Sequence, residues 1–252
     1  MNSNDYIAVF DSGVGGISVL RHLVRILPNE RYLYFGDSAN APYGTKTKED
    51  VKALTFTAAE KLMQRGIKAL VVACNTATSA AIADLRNAYP ELIVIGIEPA
   101  LKLAADTCPG GNLAVMATPM TLREEKFARL MERFADRATI HKIPAPGLVE
   151  LIESGKADSA ETDALLRNLF APYDKLDAVV LGCTHYPFAA PSLKRVLGEQ
   201  VALLDGGDGT ARETRRRLQD AGLLREGAGE VIFENSANRP ALLELSRQLL
   251  EK

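Results

Sequence analysis

This chain of 252 residues lacks tryptophan, has only three cysteines and carries almost no net charge. An odd number of cysteines, with no two at metal-ligand spacing, argues against a disulfide framework and against a zinc site. A formal net charge of −2 gives no support for a nucleic-acid partner or for an anionic membrane surface as partner. The one tight basic run, Arg215-Arg216-Arg217, falls in a helical pattern and is interpreted as a solvated helix face.

Long hydrophobic runs are also missing from the sequence. No N-terminal apolar stretch resembles a signal peptide, and none approaches the roughly 20 residues that a membrane span needs. We therefore expect a cytoplasmic protein without a membrane partner. Hydrophobic residues nevertheless make up 47% of the chain, which is enough for one large α/β unit or for two small domains.

Short apolar runs alternate with stretches of helical periodicity along the chain, which predicts an α/β protein with mostly parallel sheets and right-handed crossovers. A capping pair, Thr47 and Asp50, is expected to begin a long helix that ends near Gly66. The predicted strands cover residues 7–10, 31–36, 69–73, 92–97, 113–117, 179–182 and 230–233. Helices are predicted at residues 17–27 and 76–88 and on both sides of the last strand, a tail expected to pack back on the first half.

Two pairs of segments indicate that the chain is a duplication. The run from Leu113 to Pro119 echoes the run from Ile7 to Gly13, which aligns Thr118 with Ser12 at an offset of 106 residues. The strands that end at Cys74 and Cys183 repeat at an offset of 109 residues, although chance similarity of apolar strands is the alternative. We therefore predict two pseudo-symmetric α/β domains, one of residues 1–97 with 207–252 and the other of residues 98–206.

Cys74 and Cys183 each follow an apolar strand and precede small hydroxyl or amide residues and an expected helix. Open α/β sheets bind ligands at this end of the strands, and a helix N-terminus lowers the pKa of a thiol. Two such thiols in similar halves suit the removal of a proton from one face of a carbon and its return to the other. Taken singly, each cysteine is more often a buried small apolar residue than a catalytic one, and it is the matched pair that favours catalysis. Cys108, in a turn, is interpreted as incidental.

The glycine-rich segment from Asp11 to Gly16 follows the first strand but does not match a dinucleotide fingerprint, because the third position after Gly15 is Ser18. Its backbone N–H groups would suit a carboxylate at the N-terminus of a helix. A tight turn with a capping aspartate is the structural alternative, and Asp11 itself would repel a phosphate.

His185 lies two residues after Cys183 and could tune that thiol or carry protons. Glu153 lies on a helical pattern of apolar residues and could face a site or solvent. Two non-catalytic or non-isomerase alternatives stay open at this point: a ligand-binding protein that needs neither cysteine, and a redox protein. The Cys-x-x-Cys spacing of common redox motifs is absent.

Taken together, these residues resemble the glutamate racemases of the cofactor-independent aspartate/glutamate racemase superfamily, from the N-terminus to about residue 190. Beyond residue 205 the match is weak. The matching segments, in chain order, are Phe10-Asp11-Ser12-Gly13-Val14-Gly15-Gly16, Gly36-Asp37 with Pro42-Tyr43-Gly44, Ala73-Cys74-Asn75-Thr76-Ala77, Gly96-Ile97-Glu98-Pro99-Ala100, Ala117-Thr118, Glu153-Ser154-Gly155 and Leu181-Gly182-Cys183-Thr184-His185-Tyr186-Pro187.

The resemblance implies an active site in the cleft between two α/β domains, with no cofactor and no metal. By that likeness Cys74 takes the α-proton from D-glutamate and Cys183 takes it from L-glutamate, while Asp11, His185 and Glu153 assist. The substrate-binding residues that it implies are Asp11, Ser12, Pro42, Tyr43, Gly44, Cys74, Asn75, Thr76, Thr118, Cys183, Thr184 and His185.

The resemblance also implies a biological role: D-glutamate for peptidoglycan synthesis, and hence for cell-wall biogenesis and cell shape, in a bacterial cytoplasm. The expected partner is the small-molecule substrate glutamate, and the expected assembly is a homodimer. Aspartate is the nearest rival substrate. Related aspartate racemases tend to carry an acidic residue where this chain has His185, so the histidine favours glutamate.

Overall fold

The structure, a computed structural model, describes residues 2–123 and 125–251. The chain divides into two compact units, Met1–Glu98 with Gly207–Lys252 and Pro99–Gly206. The strands are β1 (Tyr6–Asp11), β2 (Arg31–Gly36), β3 (Ile67–Val72), β4 (Ile93–Gly96), β5 (Asn112–Ala117), β6 (Thr139–Pro144), β7 (Ala178–Gly182), β8 (Ala202–Asp205) and β9 (Glu230–Asn235).

Helices connect successive strands in both units. The α-helices are α1 (Ile17–Ile26), α2 (Lys48–Met63), α3 (Asn75–Ala88), α4 (Leu101–Thr107), α5 (Pro119–Arg123), α6 (Glu125–Glu132), α7 (Leu148–Glu153), α8 (Ala160–Phe170), α9 (Ala190–Leu197), α10 (Gly207–Asp220) and α11 (Pro240–Glu251). Short 3-10 helices lie at Ser38–Asn40, Tyr43–Thr45 and Tyr186–Ala189.

The first unit is built on a parallel sheet, with the described strands in the order β4-β3-β1-β2-β9. Its central strands β1 and β3 are buried along nearly their whole length, which explains why both read as continuous apolar runs. The expected tail is confirmed, because β9 pairs with β2 and α10 packs against α1. Arg215, Arg216 and Arg217 are exposed on α10, as predicted.

The second unit is built on a parallel sheet with the described strands in the order β6-β5-β7-β8. Read in reverse, this order matches β4-β3-β1-β2 of the first unit if β7 corresponds to β3 and β5 to β1. The two cysteine-bearing strands therefore occupy equivalent places in their sheets. The predicted α/β architecture of two parallel sheets flanked by helices is confirmed.

Local signals begin and end several elements where the sequence predicts. Thr47 caps α2, because its Oγ1 accepts a hydrogen bond of 3.2 Å from the backbone N–H of Asp50. Gly66 follows the helix with a φ of +72°, a conformation that glycine adopts without strain. One expectation is wrong: no α-helix starts directly after Cys183. The 3-10 helix Tyr186–Ala189, with Pro187 in its first turn, precedes α9.

Candidate functional site

The two units each place a cysteine at the carboxyl end of a central strand, and the surroundings of each cysteine are described in turn. In the first unit, Cys74 follows β3 and is the N-cap residue of α3. Its Sγ accepts a hydrogen bond of 3.4 Å from the backbone N–H of Ala77, and the residue is 5% exposed. The N–H groups and the dipole of a 14-residue helix thus favour the thiolate over the thiol.

Ser12 supplies a second polar contact to the same thiol. The β1–β3 pairing sets Phe10 opposite Val72. Extending this register by two residues in both segments sets Ser12 opposite Cys74. Ser12 Oγ lies 3.5 Å from Cys74 Sγ. The hydroxyl can donate to the thiolate, so Cys74 has one backbone and one side-chain partner for its negative charge.

Asp11 lies fully buried beneath the glycine-rich turn. Its Oδ1 accepts a hydrogen bond of 2.9 Å from the N–H of Gly13, so the turn with a capping aspartate is present. A side chain on Gly16 would bring its Cβ within 2.6 Å of Asp11 Cβ, so glycine is needed for the start of α1 to pack against this carboxylate. A buried carboxylate beside Ser12 is in place to act as a second proton carrier or as an orienting group.

Asn75 is the clearest indication of a ligand-binding site in the first unit. It is 6% exposed, and within the described part of the chain neither its Oδ1 nor its Nδ2 has a hydrogen-bond partner. Leaving a buried amide unsatisfied costs roughly 1–3 kcal/mol for each group, so such atoms in native proteins normally bond to a protein group, a water molecule or a ligand. Thr76, also buried, follows it in the first turn of α3.

The segment after β2 forms a hydrogen-bonded loop, which we call the 37–45 loop. Tyr43 Oη donates a hydrogen bond of 2.7 Å to the buried carboxylate of Asp37, and Asn40 Nδ2 donates to the same group at 3.0 Å. Burial, and then the bond to Asp37, raise the pKa of Tyr43 far above its ordinary value, so the phenol stays neutral. Pro42 is exposed and Gly44 half-buried on either side of it.

In the second unit, three side chains form a chain of polar contacts. Cys183 Sγ lies 3.8 Å from His185 Nδ1, and His185 Nε2 lies 2.9 Å from Glu153 Oε1. Cys183 and His185 are buried, whereas the Glu153 side chain is 29% exposed at the end of α7. Glu153 fixes His185 with Nε2–H toward the carboxylate, which leaves Nδ1 to exchange a proton with the thiol.

The second unit repeats the hydroxyl-to-cysteine register of the first. The β5–β7 pairing sets Ala117 opposite Gly182, and one further residue sets Thr118 opposite Cys183. Thr118 Oγ1 accepts from the N–H of Thr121 at 3.3 Å and lies 3.0 Å from the Thr121 hydroxyl, at the start of α5. Thr184 is buried directly after Cys183.

Two residues near the cysteines and the 37–45 loop are given no role in the sequence analysis. Asp37 orients Tyr43, and its position directly after the buried strand β2 is a signal that could have found it. Tyr186 is buried, and its Oη donates a hydrogen bond of 3.4 Å to the carbonyl of Ala145. Burial and then the nearby Cys183 raise the pKa of Tyr186. Only its place within the matching segment at Cys183 marks it in the sequence.

The described residues contain no group of three or more histidine, cysteine, aspartate and glutamate side chains that could hold a metal ion. No helix in the part of the chain that the structure describes is both long enough and apolar enough to cross a membrane.

Comparisons with known proteins agree on one family. A family model described as Asp/Glu/Hydantoin racemase matches residues 7–214. A glutamate racemase of Clostridium botulinum (strain Alaska E43 / Type E3) is 48% identical over 252 residues, covering 98% of this chain and 98% of the relative.

Solved structures give the same result. Glutamate racemase isoform RacE1 from Bacillus anthracis is 30% identical with a TM-score of 0.90, covering 100% of this chain and 96% of that one. Glutamate racemase from Francisella tularensis subsp. tularensis SCHU S4, in complex with D-glutamate, is 27% identical with a TM-score of 0.86, covering 99% and 95%.

Proposed function

Since this chain belongs to the Asp/Glu/hydantoin racemase family, we propose that it interconverts L-glutamate and D-glutamate by proton transfer at the α-carbon through two cysteines, without a cofactor. The observation that carries the proposal is the matched placement of Cys74 and Cys183. Each follows the equivalent strand of its sheet. In both sheets the strand register, extended past the last paired residues, sets a hydroxyl-bearing residue opposite the cysteine. The proposal requires that the two thiols reach opposite faces of one α-carbon during turnover.

The difficult step is removal of a very weakly acidic proton by a thiolate, which is only a modest base. The reaction therefore needs electrostatic stabilisation of the developing carbanion or enediolate by fixed N–H and O–H donors in a site that excludes water. One cysteine begins as the thiolate and takes the proton, and the other begins as the thiol and supplies a proton to the opposite face. The protonation states of the two cysteines are exchanged after each turnover.

Cys74 is proposed to take the α-proton from D-glutamate. The N–H of Ala77 and the Ser12 hydroxyl support its thiolate, and both lie within 3.5 Å of Sγ. Asp11 assists as an adjoining buried carboxylate. The two hydrogen-bond donors stabilise the thiolate, whereas Asp11, itself a carboxylate, can only accept a proton or orient its neighbours.

Cys183 is proposed to take the α-proton from L-glutamate. Its support differs from that of Cys74, because His185 rather than an α-helix N-terminus adjoins its Sγ. His185 Nδ1 can accept the thiol proton, which creates the thiolate, and Glu153 stabilises the imidazolium that forms.

Binding of the substrate carboxylates and ammonium is assigned to the polar groups that surround the two cysteines. The two unsatisfied amide atoms of Asn75 are suited to a ligand that both donates and accepts hydrogen bonds, as an α-amino acid does. The remaining groups proposed to contact the substrate are Asp11, Ser12, Pro42, Tyr43, Gly44, Thr76, Thr118, Thr184 and His185.

The first test uses purified protein without added pyridoxal phosphate, metal or nucleotide. L-Glutamate and, separately, L-aspartate are incubated with the protein in deuterated buffer. Optical rotation is followed by polarimetry, and deuterium at the α-carbon is followed by NMR. We expect loss of rotation with α-deuteration for glutamate alone. Activity on aspartate instead would keep the mechanism and change the substrate, whereas no exchange with either substrate, from folded protein with reduced cysteines, would overturn the proposal.

In the cell, we propose that the product D-glutamate enters peptidoglycan synthesis and so supports cell-wall biogenesis and cell shape. The proposed setting is the cytoplasm, and the proposed assembly is a homodimer. Growth of a bacterial D-glutamate auxotroph on expression of this chain would support the role. Light scattering of the purified protein, coupled to size exclusion, would test the dimer.

A further inference from the structure

We propose that Asn235, the last residue of β9, and Ser236, which follows it, position the 37–45 loop for substrate binding. This inference rests on the proposed function, because that function assigns Pro42, Tyr43 and Gly44 to the substrate. Asn235 and Ser236 lie 197 residues after Ser38 and Ala39 in sequence, and the hydrogen bonds that they make to the loop go to these two residues, neither of which is proposed to react. They are positioning residues, which act through the loop.

The first step is the continuation of the β2–β9 pairing beyond the strands. The backbone N–H of Ser236 donates a hydrogen bond of 2.9 Å to the carbonyl of Gly36, the last residue of β2. The Ser236 hydroxyl then accepts a hydrogen bond of 2.9 Å from the N–H of Ala39. One residue thus joins the end of the strand to the middle of the loop.

Asn235 makes the second connection with both ends of its amide. Its Nδ2 donates a hydrogen bond of 2.9 Å to the Ser38 hydroxyl, and its Oδ1 accepts one of 2.9 Å from the N–H of Ala237. Because each end of the amide has a defined partner, the side chain has one orientation. Gly36 leaves the room for this contact, since a Cβ there would lie 2.9 Å from Asn235 Nδ2 and 2.4 Å from the carbonyl of Gly13.

The same loop is tied to the site at its start and toward its end. The N–H of Asp37 donates a hydrogen bond of 2.9 Å to the carbonyl of Asp11, and the Asp37 carboxylate accepts from Tyr43 Oη. Between these ties, Ser38 and Ala39 depend on Asn235 and Ser236 for the contacts described above. Loss of those contacts would loosen the loop around Ser38 and Ala39 while leaving its other ties, and Cys74, Asn75 and Ser12, in place.

Loosening the 37–45 loop should weaken substrate binding and should have little effect on proton transfer. Each hydrogen bond is half-buried or exposed, so its net contribution is modest and corresponds to a few-fold change in an equilibrium constant. A loosened loop must be ordered again by each substrate molecule, which raises KM. The thiols and their partners are unchanged, so kcat is nearly preserved.

The test uses Asn235→Ala, Ser236→Ala and the double variant that combines these two substitutions. Each is compared with the conservative variant Ser236→Thr, which keeps the hydroxyl. We expect the double variant to raise KM for glutamate roughly 3- to 10-fold, with kcat changed less than about 2-fold, and Ser236→Thr to resemble the wild type. Ser246→Ala is the matched control. It removes a hydroxyl that bonds to the Leu242 carbonyl within α11, away from the loop.

Amide hydrogen exchange gives a readout that is independent of activity. We expect faster exchange across the 37–45 loop in the double variant and no change there in Ser246→Ala. An unchanged KM together with unchanged exchange would overturn the inference, as would an equal fall of kcat in the double variant and in Ser246→Ala. If the wild type does not act on glutamate, the proposed function fails, and exchange in the loop alone decides whether Asn235 and Ser236 hold it.

Discussion

At the scale of single residues, Cys74 and Cys183 are the same group in two different surroundings. A helix N-terminus and a hydroxyl support the Cys74 thiolate, whereas a histidine backed by a carboxylate adjoins Cys183. In the first case the charge is stabilised by fixed dipoles, and in the second by a group that can itself take the proton. The two proton transfers therefore respond to different substitutions.

Replacement of either reactive cysteine by serine is expected to lower racemisation roughly 10²- to 10⁴-fold, because a hydroxyl is a far weaker acid than a thiol and is scarcely ionised near neutral pH, so it supplies neither the base nor the acid. The retained cysteine still removes a proton from one enantiomer. Cys74→Ser should therefore exchange the α-proton of L-glutamate with deuterated solvent, and Cys183→Ser that of D-glutamate. NMR of each enantiomer separately measures this exchange.

The third cysteine provides the matched control. Cys108 lies in the turn after α4, and we expect Cys108→Ser to racemise glutamate like the wild type. Turnover close to that of the wild type in either Cys74→Ser or Cys183→Ser would exclude the two-cysteine mechanism.

Glu153→Gln is expected to lower kcat by roughly 10- to 100-fold, because a hydrogen bond to a charged group contributes about 1.5–3 kcal/mol. The amide keeps the size of the side chain but loses the charge that stabilises an imidazolium at His185. Since the two enantiomers have equal free energies, kcat/KM must fall equally in both directions. Polarimetry, started from L-glutamate and separately from D-glutamate, measures kcat and kcat/KM in each direction.

Glu150→Gln, an exposed position on the same helix, is the control for Glu153→Gln and should keep nearly full activity. A similar loss in both variants would mean that α7 as a whole, and not the Glu153 carboxylate, supports the reaction.

At the scale of elements, the site depends on close approaches at the carboxyl ends of strands. The start of α1 packs against Asp11 only because Gly16 has no side chain, and the end of β2 approaches the Gly13 carbonyl only because residue 36 is glycine. In both cases a glycine permits contact between segments in a conformation that other residues also adopt. Steric room, and not backbone freedom, is the reason for these two glycines.

Gly16→Ala is therefore expected to destabilise the protein by about 1–3 kcal/mol and to lower activity, because its Cβ would meet Asp11 Cβ at 2.6 Å. Gly209→Ala is the contrasting variant, since a Cβ at that position within α10 meets nothing within 4 Å. It should stabilise the helix by roughly 0.5–1 kcal/mol. Urea denaturation of both variants measures the two changes, and equal stability of Gly16→Ala and the wild type would contradict this account.

At the scale of the whole molecule, distant parts of the chain meet at one buried ion pair in the first unit. Lys68 Nζ lies 2.6 Å from Glu30 Oε2, and both side chains are essentially inaccessible to solvent. Lys68 also donates to the carbonyls of Ser3 and Leu223, and Glu30 Oε1 accepts from the N–H of Arg225. Burial lowers the pKa of Lys68 despite the Glu30 carboxylate. The pair joins the N-terminal segment to the segment between α10 and β9.

Lys68→Met is expected to cost about 3–5 kcal/mol of unfolding free energy, because it leaves the Glu30 carboxylate buried without its cation. The double variant Lys68→Met with Glu30→Leu should recover most of that loss, since two apolar side chains replace the pair. Urea denaturation of the single and double variants measures both values. A double variant no more stable than the single one would show that the pair is not replaceable by apolar packing.

The sequence by itself determined seven of the nine described strands, the parallel α/β class and the place of each cysteine at a strand end, but it did not predict β6 or β8. Those features depend on local burial, which appears in the sequence as a continuous apolar run for a buried strand and as a regular spacing of apolar residues for a helix. Only the tertiary structure decided that His185 contacts Glu153 and that Asp37 binds Tyr43. It also decided that Asn235 and Ser236 contact the 37–45 loop and that no α-helix begins directly after Cys183. Contacts between groups far apart in the chain depend on how strands and helices pack, and side-chain packing of this kind has no local period to detect.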